Sequence, residues 1–170
     1  MPDTLSLNLR ASLDWLFKEA LDLSNVVDAS KLEYSTAMAD GTGSGQCDKI
    51  WHDTRTLASG AADSLDLTAL ATSLFGANIT LPLVKVKAIL VKNRATTAGE
   101  NLTIGGAASA FVGPFGAAAH TIACPADSCV LLINRLTGWM VTDGSADVLK
   151  IANAGAGSVT YDIAIVGTSA

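Results

Sequence analysis

From residue 46 onward the sequence is a succession of short β-type segments, and this repetition restricts the fold more than any other feature. Stretches such as LPLVKVKAILVKN and SVTYDIAIVG are rich in β-branched residues, and Gly, Asn or Asp lies between most of them. TDGSAD and NAGAGS are typical of tight hairpin connections. We interpret LATSLFG as a single helical turn ending at Gly76. About eight to ten short strands predict a mainly β fold, a β-sandwich of jelly-roll type spanning residues 47–170.

The first 40 residues show a different pattern. TLSLNLR alternates Leu5, Leu7 and Leu9 with polar residues, which is the period of a half-buried strand. The following stretch, ASLDWLFKEALDL, places apolar residues at helical spacing and favours a short amphipathic helix. Its apolar face would consist of Leu13, Leu16, Phe17, Ala20 and Leu21.

The apolar face of this helix has to be buried, either on its own domain or on a partner. A glycine-rich joint, residues 41–46, separates the N-terminal strand and helix (residues 1–40) from the β-domain. A pliable joint favours a partner, so we predict that residues 1–40 form an assembly arm. The expected contact residues are Leu13, Leu16, Phe17 and Leu21. In the alternative, the TLSLNLR strand holds the helix against its own sheet.

Charge is sparse and unevenly distributed. Charged residues make up 16% of the chain, against roughly 25% in a typical soluble domain. The net charge is −4 in residues 1–40, +2 in residues 41–94, and −3 in residues 95–170, which carry only seven charges. Such a surface is either covered by other protein or coated with Ser, Thr, Asn and Gly. The overall charge of −5 argues against nucleic-acid binding, which requires a basic face.

Neither a secretory leader nor a membrane span is expected. MPDTLSLNLR lacks an apolar central run, and IGGAASAFVGPFGAAA is too short and is interrupted by Pro114. We therefore expect a soluble protein made in the cytoplasm of the producing cell. Cys47, Cys124 and Cys129 are predicted to be free thiols. A link between Cys124 and Cys129 across a turn is the alternative.

The stretch DGTGSGQCDKIWHDTR looks most like a chemical site, but it lacks the required spacings. A phosphate loop ends in GK[ST] before a helix, whereas Gly45 is followed by Gln46 and Cys47. The two histidines and three cysteines lack zinc-site spacing, and no GxSxG nucleophile motif is present. DGSAD, residues 143–147, could hold a calcium ion, but it lacks the ligand series and the terminal Glu of the EF-hand loop. We expect a protein that is not an enzyme and binds no cofactor and no metal.

Three stretches resemble small structural proteins of tailed bacteriophages. They are DGTGSGQCDKIWHDTRTLASGAADSLDLTALATSLFG, VKVKAILVKN and GWMVTDGSADVLKIANAGAGSVTYDIAIVGTSA. In that group a helical or extended N-terminal segment precedes a compact β-sandwich, and members are capsid cement (decoration) proteins or components of virion appendages. The resemblance covers residues 40–170 well and residues 1–39 weakly, rests on strand and turn patterns, and carries no catalytic residues. It implies a virion subunit.

The main hypothesis is therefore a capsid cement protein, made in the host cytoplasm and located on the capsid surface of the virion. It would be a homo-oligomer, most simply a trimer, that stabilises the shell by binding the major capsid protein. The alternative is a fibre or tail appendage module that binds host-surface glycans. Because Trp15, Trp51 and Trp139 lie on distant segments, we expect them to pack rather than to form a sugar-binding platform.

Overall fold

The structure is a computed structural model that describes residues 4–20, 22, 24–74 and 77–170. The described residues form fourteen strands and no helix. In chain order the strands are β1 (Leu7–Ala20), β2 (Asn25–Asp40), β3 (Gln46–Cys47), β4 (Lys49–Leu57), β5 (Ala62–Asp66), β6 (Leu70–Leu74), β7 (Ala77–Leu81), β8 (Lys85–Asn93), β9 (Leu102–Gly105), β10 (Thr121–Cys124), β11 (Cys129–Ile133), β12 (Trp139–Met140), β13 (Val148–Asn153) and β14 (Val159–Thr168).

Nine of these strands build two sheets in a sandwich-like arrangement. Sheet I has the order β10–β9–β13–β5, and sheet II has the order β11–β8–β14–β4, with the short β12 also paired to β8. All pairings within the two sheets are antiparallel. Strands distant in sequence are neighbours: Thr54 of β4 donates a hydrogen bond to Asp162 of β14, 108 residues later. The prediction of a mainly β fold is confirmed.

The main core lies between the two sheets. Because strand side chains alternate between faces, β14 sends Tyr161, Ile163 and Ile165 inwards, each at most 2% exposed. Leu149 and Ile151 of β13 meet them from sheet I and are fully buried. Burying one such side chain stabilises the fold by about 1.5–3 kcal/mol, so this layer supplies most of the sandwich's stability.

One buried asparagine closes an end of this core. The Nδ2 of Asn153 donates to the carbonyls of Leu57, Ala58 and Gly157 at 3.1, 3.0 and 2.7 Å. Its Oδ1 accepts from the backbone N–H of Gly155 at 2.8 Å. One side chain thus ties the end of β13 to the β4–β5 and β13–β14 connections, where backbone groups would otherwise be buried without partners.

The predicted N-terminal helix is wrong. Most of ASLDWLFKEALDL lies in β1, which pairs antiparallel with β2 from Leu7 opposite Met38 to Ala20 opposite Asn25. The partner strand satisfies the backbone groups that a helix would have satisfied internally.

The single helical turn expected in LATSLFG is also wrong. Residues Leu70–Leu74 form β6, which pairs antiparallel with β7. Gly76, where the turn was expected to end, lies outside the described residues.

The β1–β2 hairpin, called the arm below, is seated at its base on the outer face of sheet II. A second, smaller hydrophobic cluster forms this seat. Its members are Met38, Cys47, Ala88 and Val166, with Leu5, Leu7 and Leu9 packed against them. Because Ala88 and Val166 belong to the two central strands of sheet II, the seat fixes the arm to the sandwich.

Candidate assembly surface

The arm has one apolar and one polar face. Residues directly opposite each other in an antiparallel pair point to the same face, so the pairing assigns every side chain. The apolar face contains Leu7, Leu9, Ala11, Leu13, Trp15, Phe17, Val26, Leu32, Tyr34 and Met38, together with the polar residues Glu19, Asp28, Ser30 and Thr36. The opposite face contains Asn8, Arg10, Ser12, Asp14, Lys18, Asn25, Lys31, Glu33 and Ser35, together with Leu16 and Val27. The arm is therefore an amphipathic hairpin.

The apolar face is covered only at the base of the arm. Met38 is 1% exposed, whereas Leu13, Phe17 and Leu32 are 63%, 57% and 68% exposed. All residues of β1 from Ala11 and of β2 up to Ser35 are exposed. A contiguous apolar surface with a polar rim is typical of an interaction site, since water solvates it poorly. We call the paired residues 11–20 and 25–34 the distal arm.

The structure brings only two of the four predicted contact residues to one face. Leu13 and Phe17 lie on the apolar face, while Leu16, 60% exposed, lies on the polar face because neighbouring strand residues alternate. Leu21 lies outside the described residues. Helical reasoning missed Trp15 and the apolar residues of β2, although the period-two alternation that starts at Leu5 continues as far as Phe17.

The arm crosses sheet II from one edge to the other. Leu5, which precedes β1 and whose N–H donates to Asp40 of β2 at 3.0 Å, shares a cavity with Lys49 and Ile50 of the edge strand β4. Tyr34 lines a groove with residues 133–137, at the end of the opposite edge strand β11. Near this point the Nε of Arg135 donates to the carbonyl of Ala37 at 3.2 Å. The distal arm therefore projects beyond the β11 side of the sheet.

The outer face of sheet II offers a second apolar surface. The cross-strand pairing arranges its outward side chains in rows. The row beneath the arm base, called the seat row, is Ile133–Ala88–Val166–Ile50. The adjacent row, called the open row, is Leu131–Leu90–Ala164–His52. Leu90 is 39% exposed, so the arm base leaves this row uncovered.

Exposed large apolar side chains of the sandwich concentrate around this face. Those found among the described residues are Ile50, Leu90, Leu136 and Met140. Ile50, Leu90 and Met140 belong to strands of sheet II, and Leu136 follows β11 in the loop that the arm passes. Sheet I contributes none among the described residues, so the exposed apolar side chains of the sandwich lie on the side of sheet II.

The glycine-rich segment 41–46 forms a hydrogen-bonded turn. The N–H of Gly41 donates to the carbonyl of Cys47 at 3.2 Å, and Gln46 Oε1 accepts from the N–H of Gly43 at 2.9 Å. Gly45 has a φ of 71°, in the left-handed region that glycine adopts without strain. The Arg135 guanidinium lies 3.2 Å from where a Cβ at Gly45 would stand. This turn directs the arm relative to the sandwich.

A group of hydrogen-bonded and ion-paired side chains lies at the edge of the core. Arg55 Nε is 2.9 Å from Asp53 Oδ2, and its Nη1 is 3.5 Å from Asp63 Oδ1. The Tyr161 hydroxyl donates to Asp63 Oδ2 at 2.6 Å. Burial, with the hydrogen bond and charge of Asp63, raises the pKa of Tyr161 far above its usual value, so the hydroxyl stays protonated. This network ties β4, β5 and β14 together.

An open groove of about 610 Å³ runs beside this network. Its lining includes Trp51, His52, Asp53 and Asp162. Trp51 is only 2% exposed, and its Nε1 already donates to the carbonyl of Ala71 at 2.9 Å. Its indole therefore presents no open ring face on which a sugar would stack.

Two of the three thiols lie in the interior of the protein. Cys47, Cys124 and Cys129 are free, and the first two are buried. Burial, with the charges of Asp48 and Asp40, raises the pKa of the Cys47 thiol, which keeps it protonated and unreactive. Among the described residues, no group of three His, Cys, Asp or Glu side chains is arranged to hold a metal ion. No membrane-spanning helix was found in the described part of the chain.

Compared with known proteins, the chain matches no family model and no curated relative.

Proposed function

We propose that this chain is a structural subunit of a tailed-bacteriophage virion, specifically a capsid cement protein that self-associates and binds the major capsid protein. The observation that carries the proposal is the distal arm, whose apolar face is exposed on a hairpin fixed at its base to a sandwich. Such a part stabilises a shell by adding contact area between subunits and needs no catalytic groups. The sequence resemblance supplies the virion context.

The proposal includes a jelly-roll topology, which the strand order supports. Leaving out the β6–β7 hairpin and β12, the sandwich has eight strands: β4, β5, β8, β9, β10, β11, β13 and β14. In this series the first strand pairs with the last, the second with the seventh, the third with the sixth, and the fourth with the fifth. This nested pairing is expected of a jelly roll, an architecture common in viral capsid proteins.

The distribution of charge also favours a protein partner. Residues 95–170 carry only seven charges, and the exposed apolar side chains of the sandwich lie around one face. A monomer in water would normally carry a more charged surface. Contact with neighbouring subunits would remove this apolar surface from water.

Copy number in the virion tests the proposal most directly. Quantitative mass spectrometry of purified virions should find the chain at a fixed ratio to the major capsid protein, as for a component distributed over the whole shell. A fibre or tail module would occur at far lower copy number. Absence of the chain from purified virions would contradict the proposal altogether.

A trimmed-arm variant tests the role of the arm. In this variant residues 11–34 are replaced by a two-residue Asn-Gly turn that joins Arg10 to Ser35, which are paired across the hairpin. The seat formed with Leu7, Leu9 and Met38 is retained, so the sandwich should melt at an unchanged temperature. We expect virion occupancy to fall strongly. Undiminished occupancy would show that the arm is not an assembly element.

A further inference from the structure

We propose that the distal arm of one chain packs its apolar face across the open row of sheet II in a second copy of the same chain. This inference rests on the self-association included in the proposed function, and it names the two surfaces that meet.

The arm already makes this kind of contact within its own chain. Its base lies across sheet II on the seat row, where apolar residues of the arm cover Ala88 and Val166. The open row lies two residues further along each strand, about 7 Å away. It is also mainly apolar, with Leu131, Leu90 and Ala164 in sequence across three strands. The open row therefore offers the distal arm the same kind of apolar surface that the seat row offers the base of the arm.

The distal arm is long enough to span the open row. β1 contributes ten residues to the distal arm, from Ala11 to Ala20, which span roughly 30 Å at about 3.3 Å per residue. Sheet II is four strands wide along the open row, which is roughly 15–20 Å at about 4.8 Å between strands. Because the arm leaves its own sheet beyond the β11 edge, a copy placed at that edge would receive it.

Charge favours the same pairing. The N-terminal 40 residues have a net charge of −4, whereas residues 41–94, which contain β4 and β8, have +2. Among its described residues, the apolar face of the arm carries only acidic charges, Glu19 and Asp28. Lys92 of β8, the next outward residue after Leu90, borders the open row opposite Asp162 of β14, whose carboxylate is paired with Arg94 at 3.4 Å. Opposite charges at the border of an apolar contact steer two copies into one orientation.

The trimer of the proposed function requires a head-to-tail contact, in which the arm of each chain meets the sheet of the next, rather than the reciprocal exchange of arms that would close as a two-fold dimer. A head-to-tail interface uses two different surfaces on each subunit and closes into a ring when the rotation between subunits allows it. A trimer is the smallest ring of this kind. In the closed ring the arm of the last chain packs on the sheet of the first chain, so every arm and every open row is covered.

Disulfide trapping tests the contact directly. In a Cys129→Ser background, which removes the exposed thiol, one preparation carries Leu32→Cys and another carries Leu90→Cys. Mixed at micromolar concentration under mild oxidation, the two variants should form a cross-linked heterodimer. Ser12→Cys, on the polar face of the arm, replaces Leu32→Cys as the matched control and should cross-link poorly. Equal cross-linking by the control, or cross-linking of the Leu32→Cys variant mainly with itself, would overturn the proposal.

Light scattering provides a second readout that needs no cross-link. Leu32→Ser and Leu90→Ser should each raise the concentration at which the oligomer dissociates by roughly tenfold or more. The melting temperature of the dissociated subunit should change little, since both side chains are exposed within one chain. If Leu90→Ser leaves the dissociation concentration unchanged, the open row is not the partner surface.

The outcomes for this contact and for the proposed function are distinguishable. Loss of virion occupancy in the trimmed-arm variant without any cross-link between Leu32→Cys and Leu90→Cys would mean that the arm binds the shell. The cement proposal would then stand and the arm-to-sheet contact would be wrong. Cross-linked oligomers of a chain absent from virions would support the contact and reject the cement role.

Discussion

The arm and the sandwich are both antiparallel β-structure, but they differ in what covers their apolar side chains. In the sandwich, Leu149 and Ile151 are fully buried between two sheets, whereas in the arm Leu13 and Leu32 are 63% and 68% exposed. Both regions are paired antiparallel over long stretches, although the ladder between β14 and β8 shifts register between Val166 and Gly167, so strand pairing alone does not distinguish them. A two-stranded hairpin alone is only marginally stable in water. The comparison teaches that strand pairing shapes the arm, whereas most apolar side chains of the arm are not buried within their own chain.

Matched leucine truncations should give the largest difference between the two regions. Leu149→Ala removes a fully buried side chain and leaves a cavity, so we expect a loss of about 2–5 kcal/mol in the free energy of unfolding. Leu32→Ala, in the distal arm, should change it by about 0.5 kcal/mol or less when the chain is dilute enough to be monomeric. Chemical denaturation measures both values. Similar losses for the two variants would mean that the arm belongs to the core of its own chain.

The two faces of the arm provide the next comparison. Phe17→Ser removes an apolar group from the apolar face and should weaken self-association by roughly 1.5–3 kcal/mol. Leu16→Ser alters the polar face and should have less than half of this effect, although Leu16 is similarly exposed. Sedimentation velocity over a concentration series measures the two dissociation constants. An equal effect of both substitutions would indicate that both faces of the arm are covered in the assembly.

Buried and exposed asparagines extend the comparison to polar groups. Asn153→Ala leaves several backbone groups at the end of the core without partners and should cost about 1–3 kcal/mol. Asn8→Ala, in the arm, concerns an exposed side chain and should have no measurable effect. Thermal unfolding compares them. If Asn153→Ala left the melting temperature unchanged, water would have to replace the hydrogen bonds of the lost side chain.

Alkaline pH should lower the stability of the sandwich through Tyr161. Burial and Asp63 raise the pKa of Tyr161 in the folded protein above the ordinary value of 10.0. The unfolded chain therefore loses the proton first, so this stabilisation is complete below pH 10 and falls by about 1.4 kcal/mol per pH unit above it. Tyr161→Phe should flatten the decline of stability between about pH 10 and pH 11 relative to the unsubstituted protein. Parallel declines in the two proteins would argue against this coupling.

Much of the sandwich was predictable from sequence, because its local signals agree with each other. Segments such as LPLVKVKAILVKN combine β-branched residues with bounding turn residues, and no competing pattern occurs there. The pairing order was not predictable, since it depends on contacts between residues far apart in the chain. The buried partners of Tyr161 and Asn153 were hidden for the same reason.

The arm was mispredicted because two periods coexist in one stretch. Leu13, Leu16 and Phe17 fit a helical face, while Leu13, Trp15 and Phe17 continue the alternation of a strand. Helix propensity is a weak preference that tertiary pairing overrides, and here the deciding factor was the partner strand β2. The prediction that residues 1–40 present an apolar face depended less on the choice between helix and strand, because either structure leaves one apolar face to be covered.

The position of β14 in sheet II has a consequence for how the protein is made. β14 lies between β4 and β8, yet it is the last strand of the sandwich to leave the ribosome. Sheet II therefore cannot close during synthesis of the preceding strands, because its two halves are joined only through this segment. Contacts of such long sequence separation also slow folding. The arm emerges before the sandwich, so its apolar face is exposed before the sheet that seats it exists. During this interval the nascent chain is most open to chaperones and to premature aggregation.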